Sequence, residues 1–131
     1  MNVKRMGDNY KRREEGDKLA TWFEEQLQNN KTQFFDLHVY TDLIDYYLQL
    51  GETKKALQIC HIGTEQYPYS SELLTSRAQI LSNLEEYDEA LEALDKAANL
   101  QPNDTEMLML KASILNYAGR HQEAIHEFEH L

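Results

Sequence analysis

Apolar positions recur at helical spacing through most of the chain. Within 71–84, Leu74, Ala78, Leu81 and Leu84 follow one another at intervals of 4, 3 and 3 residues, a single stripe on a 3.6-residue period. Within 87–100, a broader stripe of Tyr87, Ala90, Leu91, Leu94, Ala97, Ala98 and Leu100 suits a helix covered on more than one side. Ser70 and Asp104 precede the acidic first-turn residues Glu72 and Glu106, which marks them as N-caps with charge favourable to the helix dipole. Pro68 and Pro102 stand two residues earlier, where a missing N–H ends the preceding helix. These signals predict helices over about 36–50, 53–66, 71–84, 87–100, 105–118 and 121–131. A separate stripe of Leu19, Trp22, Phe23 and Leu27 predicts a further helix over 17–29, with residues 1–16 either extending it or loose.

The pattern also copies itself. Pro68 and Pro102 are 34 residues apart, and the sequence realigns on that offset. Ala56, Ala90 and Ala124 fall in step, as do Leu57, Leu91 and Ile125, then Tyr46, Ile80 and Ile114, then Tyr47, Leu81 and Leu115. Glu72 matches Glu106, Leu74 matches Leu108, Ala78 matches Ala112, and Gly51 matches Gly119 two periods on. This set of residues resembles the tetratricopeptide repeat (TPR) family, whose unit has that length. The units are 37–70, 71–104 and a truncated 105–131. The second is the fullest, with Leu74, Ala78, Leu81, the run 85–90 (EEYDEA), Leu94, Ala97 and Pro102 at family positions. The third carries Leu108, Ala112, Leu115, Gly119, Ala124 and Phe128. In the first, Tyr40, Leu43, Tyr47, Gly51, Ala56 and Pro68 fit, while Ile44, Cys60 and Gly63 replace the usual small, aromatic and Ala residues. Arg77 and Lys111 stand where the family commonly has Leu, which predicts a partly wet seam.

The resemblance implies an all-α superhelix of three helical hairpins plus the N-terminal helix. Small residues let two antiparallel helices approach, so Ala56, Ala90 and Ala124 should face bulky partners such as Tyr47 and Leu81. Each hairpin leaves an apolar side that only the next one covers. The N-terminal helix should cover the first hairpin, whereas Ile125 and Phe128 on the last helix should be half covered. That uncovered side predicts either continuation of the native protein past Leu131 or pairing with another chain.

Charge divides the chain in two. Residues 1–36 carry as many basic as acidic side chains, so the net charge of −10 belongs entirely to residues 37–131. The polar break at 28–32 (QNNKT) marks a soft boundary between an N-terminal segment, 1–36, and the repeat domain, 37–131. A chain this acidic is repelled by phosphates, which argues against nucleic acid and anionic membrane as partners. No apolar run approaches the roughly 18–20 residues of a membrane span. The first eight residues lack a signal-peptide core, and one Cys precludes an internal disulfide framework, so a cytoplasmic address is expected.

Motifs for chemistry are few. His126-Glu127-Phe128-Glu129-His130 matches H-E-x-x-H, whose two histidines can share a metal. The repeat register places Phe128 at the core position of Leu94 and turns His126 and His130 to solvent, with no third ligand following. A metal-dependent hydrolase at 126–130 is therefore the remote alternative, and no catalytic residue, metal or cofactor is assigned. Cys60 shares that core register and reads as a buried structural thiol, with His61 turned away from it. Residues 85–89 (EEYDE) lack the alternation and Gly of a calcium loop and read as a helix–helix corner.

The resemblance implies a noncatalytic protein-interaction module whose concave groove, lined by the first helix of each hairpin, takes an extended peptide or partner helix. In this register the groove residues are His38, Thr41, Asp45 and Gln49, then Glu72, Thr75, Gln79 and Asn83, then Glu106, Met109, Ser113, Asn116 and Tyr117. The strip is polar, and acidic at Asp45, Glu72 and Glu106. Gln79, Asn83 and Asn116 suit hydrogen bonding to a peptide backbone. Family members that grip acidic chaperone tails use a clamp of Lys, Asn and Arg, and here Thr41, Asp45, Ser76, Glu72 or Glu106, and Leu110 occupy the corresponding positions. A basic or neutral protein partner is expected, not a chaperone C-terminal carboxylate. The alternative is self-association through the C-terminal helix.

Overall fold

The computed structural model describes residues 3–29 and 33–129, with side chains from residue 12 onward. Among the described residues there are seven helices and no strand: α1 (Val3–Asn29), α2 (Leu37–Gln49), α3 (Thr53–Gln66), α4 (Ser71–Asn83), α5 (Tyr87–Leu100), α6 (Thr105–Tyr117) and α7 (His121–Glu129). They pair as hairpins α2/α3, α4/α5 and α6/α7, and each second helix packs on the first helix of the next hairpin. α1 packs on α2, where the second helix of a preceding hairpin would lie. It starts at Val3, so residues 3–16 extend the helix expected over 17–29, the first of the two courses the sequence left open. No helix among the described residues is long and apolar enough to cross a membrane.

Helix ends follow the sequence signals. The Ser70 side chain accepts a hydrogen bond from the Leu73 N–H at 3.2 Å, and Asp104 Oδ1 accepts from Met107 N–H at the same distance. The three hairpin turns share one backbone form. At Gly51, Glu85 and Gly119, each 34 residues apart, φ is +76°, +62° and +80°. The pair of turn bonds is the same each time: Gly51 N–H to Leu48 O with Glu52 N–H to Tyr47 O, Glu85 N–H to Ser82 O with Glu86 N–H to Leu81 O, and Gly119 N–H to Asn116 O with Arg120 N–H to Leu115 O. This is the Schellman arrangement with the left-handed residue just past the helix end. Two turns use the residue suited to it and the middle one forces a glutamate into it.

The core runs along the array as two clusters, one centred on α2/α3 with α1, the other on α4 to α7. Ala56, Ala90 and Ala124 are all buried, as their shared place in the repeat requires. Leu73 and Ile80 are buried beside the expected Leu74, Ala78 and Leu81, because α4 is covered by α3 on one side and α5 on the other. Two stripe residues depart from expectation. Trp22 is 41% exposed, its ring edge-on to Phe35 at 5.6 Å and its other side open, and Leu100 is 40% exposed as the last residue of α5.

The first hairpin deviates from the consensus in a compensated way. Gly63 is the counterpart of Ala97 and Tyr40 of Leu74, one period on. A Cβ at Gly63 would meet Tyr40 Cγ at 2.9 Å and Leu73 Cδ1 at 3.2 Å. The larger ring is thus accommodated by a smaller helix surface opposite it. Tyr40 OH donates to Gln66 Oε1, which also accepts from Phe35 N–H at 3.3 Å, while Gln66 Nε2 donates to Gln33 O at 2.8 Å. One side chain therefore fastens the segment after α1 to the end of α3. Phe35 is buried there against Phe23, with ring centroids 4.9 Å apart.

Candidate functional site

On α2, α4 and α6 the faces that do not enter the core carry the sequence-predicted strip. His38, Asp45, Gln49, Glu72, Gln79, Asn83, Glu106, Met109, Asn116 and Tyr117 are exposed, and Thr41, Thr75 and Ser113 are half-buried. The structure brings part of the strip together. Glu72, Thr75 and Gln79 of α4 and Glu106 of α6 line one cleft of about 550 Å³, joined by Ser71, Ser76, Gln101, Asp104, Met107 and Leu110. Gln49 lies apart from these, in a cleft of about 380 Å³ with Arg12 and Arg13 of α1, Tyr46 and Leu50. Asn116 is engaged locally, its Oδ1 lying 2.6 Å from His121 Nδ1 at the start of α7. Thr75 donates its hydroxyl to Ser71 O at 2.8 Å and Thr41 to His38 O at 3.2 Å, leaving Gln79 and Asn83 as the strip's amides on α4.

The electrostatics of this face are acidic. Partial desolvation raises the Asp45 carboxyl above its ordinary value, and the neighbouring Asp42 raises it further.

A second cleft, which the sequence reading missed, lies where α3 turns into α4. Leu37, Gln66, Tyr67, Pro68, Tyr69, Ser70, Ser71 and Glu72 line about 520 Å³. Phe34 packs on Tyr67 with ring centroids 5.1 Å apart and remains 64% exposed, and Tyr69 is 82% exposed. The available signal was a break in the repeat: Tyr67-Pro68-Tyr69 stands where the next unit has Gln101-Pro102-Asn103.

On the opposite side, α5 and α7 flank a cleft of about 620 Å³ floored by Lys111 and Leu115 of α6. Lys111 Nζ lies 3.6 Å from Asp95 Oδ1 of α5 and 3.2 Å from Glu127 Oε1 of α7, so the seam is polar as expected. His126 is exposed and lines the same cleft, while His130 and Leu131 lie outside the described residues. Among the described residues no three His, Cys, Asp or Glu side chains are grouped to hold a metal ion. Cys60 is fully buried and donates its thiol to Leu73 O at 3.4 Å, and burial pushes that thiol up to about 11. His61 points elsewhere, its Nε2 being 3.2 Å from Glu65 Oε1. Ile125 and Phe128 on α7 are 50% and 47% exposed, the half coverage expected of them.

Comparison with known proteins agrees with the fold. MamA AMB-1 superimposes with a TM-score of 0.69 at 25% identity, over 81% of this chain and 56% of that one. MamA MSR-1 gives 0.68 at 24%, over 81% and 59%. A further crystal structure of MamA gives 0.76 at 17% identity, over 98% of this chain and 72% of that one, a likeness of fold alone. The chain thus spans little more than half the length of MamA AMB-1 and MamA MSR-1. No curated protein matched the sequence. The tetratricopeptide repeat model matches residues 47–114, more than half of the chain, and the protein belongs to the tetratricopeptide repeat family.

Proposed function

We propose that this chain is a noncatalytic protein-interaction module that holds an extended peptide or a partner helix against the acidic strip of α2, α4 and α6. The observation that carries the reading is the cleft between α4 and α6, where Glu72 and Glu106 meet the polar groups of Thr75, Ser76 and Gln79. Amide and hydroxyl groups can bond a peptide backbone whatever its sequence, and the carboxylates set a preference for Lys or Arg in the partner. His38, Asp45, Met109, Ser113 and Tyr117 extend the same surface. A chaperone-type C-terminal carboxylate would be repelled, since Asp45 and Glu72 or Glu106 replace clamp cations. Nucleic acid and anionic membranes are disfavoured by the charge of −10.

The test is binding of a basic and an acidic extended peptide to the wild type and to a variant carrying Asp45→Lys, Glu72→Lys and Glu106→Lys. The wild type should prefer the basic peptide and the variant the acidic one. Micromolar binding of an acidic tail peptide by the wild type, lost on mutating the strip, would refute the reading. A second reading, self-association, is favoured by the exposed apolar pair Ile125 and Phe128 on α7. Concentration-independent monomer mass in sedimentation, unchanged by Ile125→Glu with Phe128→Glu, would remove it.

A further inference from the structure

Tyr69 has no evident structural task. It is 82% exposed, and its counterpart one repeat on is Asn103, which holds φ at +72°, so the two turns are built differently and the aromatic side chain belongs to this one alone of the pair. Tyr67 differs, because its hydroxyl donates to Phe35 O at 2.6 Å and its ring packs on Phe34 and Tyr40. Tyr67 is thereby a fixed wall, and Tyr69 and Pro68 form an open apolar shelf beside it with Leu37. An exposed aromatic ring beside a fixed one offers a partner an apolar anchor of the residue type enriched at binding hot spots.

The shelf is also continuous with the acidic strip. Ser71 and Glu72 line both the aromatic cleft and the α4/α6 cleft that holds Glu106 and Asp104. An extended chain lying on α4 can therefore set an apolar side chain against Tyr69 while its next residues run past Glu72 toward Glu106. The geometry points to a two-part ligand: an extended segment of a partner protein with one apolar side chain (Phe, Leu or Pro) seated on the Tyr67–Tyr69 shelf and Lys or Arg a few residues away beside Glu72 and Glu106. This rests on the groove reading above and adds the apolar anchor to it. Charge complementarity selects a basic segment over an acidic one, and the shelf selects among basic segments.

The experiment uses fluorescein-labelled peptides in a Gly-Ser background, carrying Lys residues alone, Phe alone, or Phe with Lys at varied separations. Anisotropy titration of the wild type should show the combined peptide binding about tenfold tighter than the Lys-only peptide at the best separation. Tyr69→Ser, a change at a solvated position, should abolish that advantage and leave Lys-only binding unchanged. Glu72→Gln with Glu106→Gln should weaken the Lys-only peptide. An advantage from Phe that is absent in the wild type, or that survives Tyr69→Ser, overturns the shelf while Lys-only binding sensitive to the carboxylates keeps the groove reading standing. Binding indifferent to Glu72 and Glu106 overturns the two-part ligand and the groove reading together.

Discussion

Replacing Glu85 by Gly should stabilise the protein although it removes a side chain. Glu85 holds φ at +62° in the turn between α4 and α5, and the same position is glycine in the turns on either side. A left-handed conformation costs an L-residue with a Cβ about 1–2 kcal/mol. Glycine gives back about 0.4–1 kcal/mol through the greater freedom of the unfolded chain. The net expectation is a gain of about 0.5–1 kcal/mol, or a rise of about 2–4 °C in Tm for a domain of this size. Urea unfolding followed by far-UV circular dichroism measures it directly. Two controls separate backbone from charge. Glu85→Gln removes the charge and keeps the Cβ, so it should leave stability nearly unchanged. Gly51→Ala should cost a comparable amount in the other direction, and a Cβ at Gly51 meets nothing within 4 Å, so only the dihedral angle is changed. If Glu85→Gln stabilises as much as Glu85→Gly, relief of acidic repulsion is the cause and the argument from φ fails.

Gly63→Ala should destabilise by about 1–2 kcal/mol through overlap with Tyr40, and adding Tyr40→Leu should recover part of the loss, giving a non-additive double-mutant cycle. Gly16→Ala should loosen α1 from α2, because a Cβ there overlaps the Tyr46 ring; faster amide exchange confined to α1 would show it, and unchanged exchange would count against the packing. Stability should hold up to about pH 9 and fall toward pH 12. Burial raises the Cys60 thiol from 9.0 to about 11 and Tyr40 from 10.0 to about 12, and a hydrogen bond to Asp17 is the largest cause of the same rise at Tyr46. The folded chain therefore keeps these protons longer than the unfolded one, so its advantage is complete below the unfolded values and is lost as the pH rises from them through the folded values. Native Cys60 should resist a thiol reagent at pH 8 until urea opens the fold, and immediate labelling would contradict its burial.

Much of the fold was legible because the chain punctuates itself. Stripe, N-cap and proline signals located α2 to α7 to within a residue or two, and the 34-residue register identified the buried alanines. What escaped is what periodicity cannot encode. The stripe could not decide whether residues 1–16 extend α1, which reaches back to Val3, and Phe35 is buried from a non-helical linker. The Gln66 fastening joins residues 33 apart, and nothing local announces it. The candidate site was legible only in part. Position in the repeat indicated which residues face outward, but not that Asn116 is taken up by His121 or that an aromatic cleft adjoins Glu72. Those depend on side-chain direction and on contacts between turns.

The single tryptophan, Trp22, sits on α1, the first of the described helices, against Phe35. Its emission therefore reports the docking of α1 on the first hairpin, while backbone dichroism averages over every helix. In an array held together by nearest-neighbour interfaces, the two signals separate as soon as one end frays before the other. Overlaying the two melting curves gives, with no label added, a direct reading of whether this solenoid comes apart all at once or from one side.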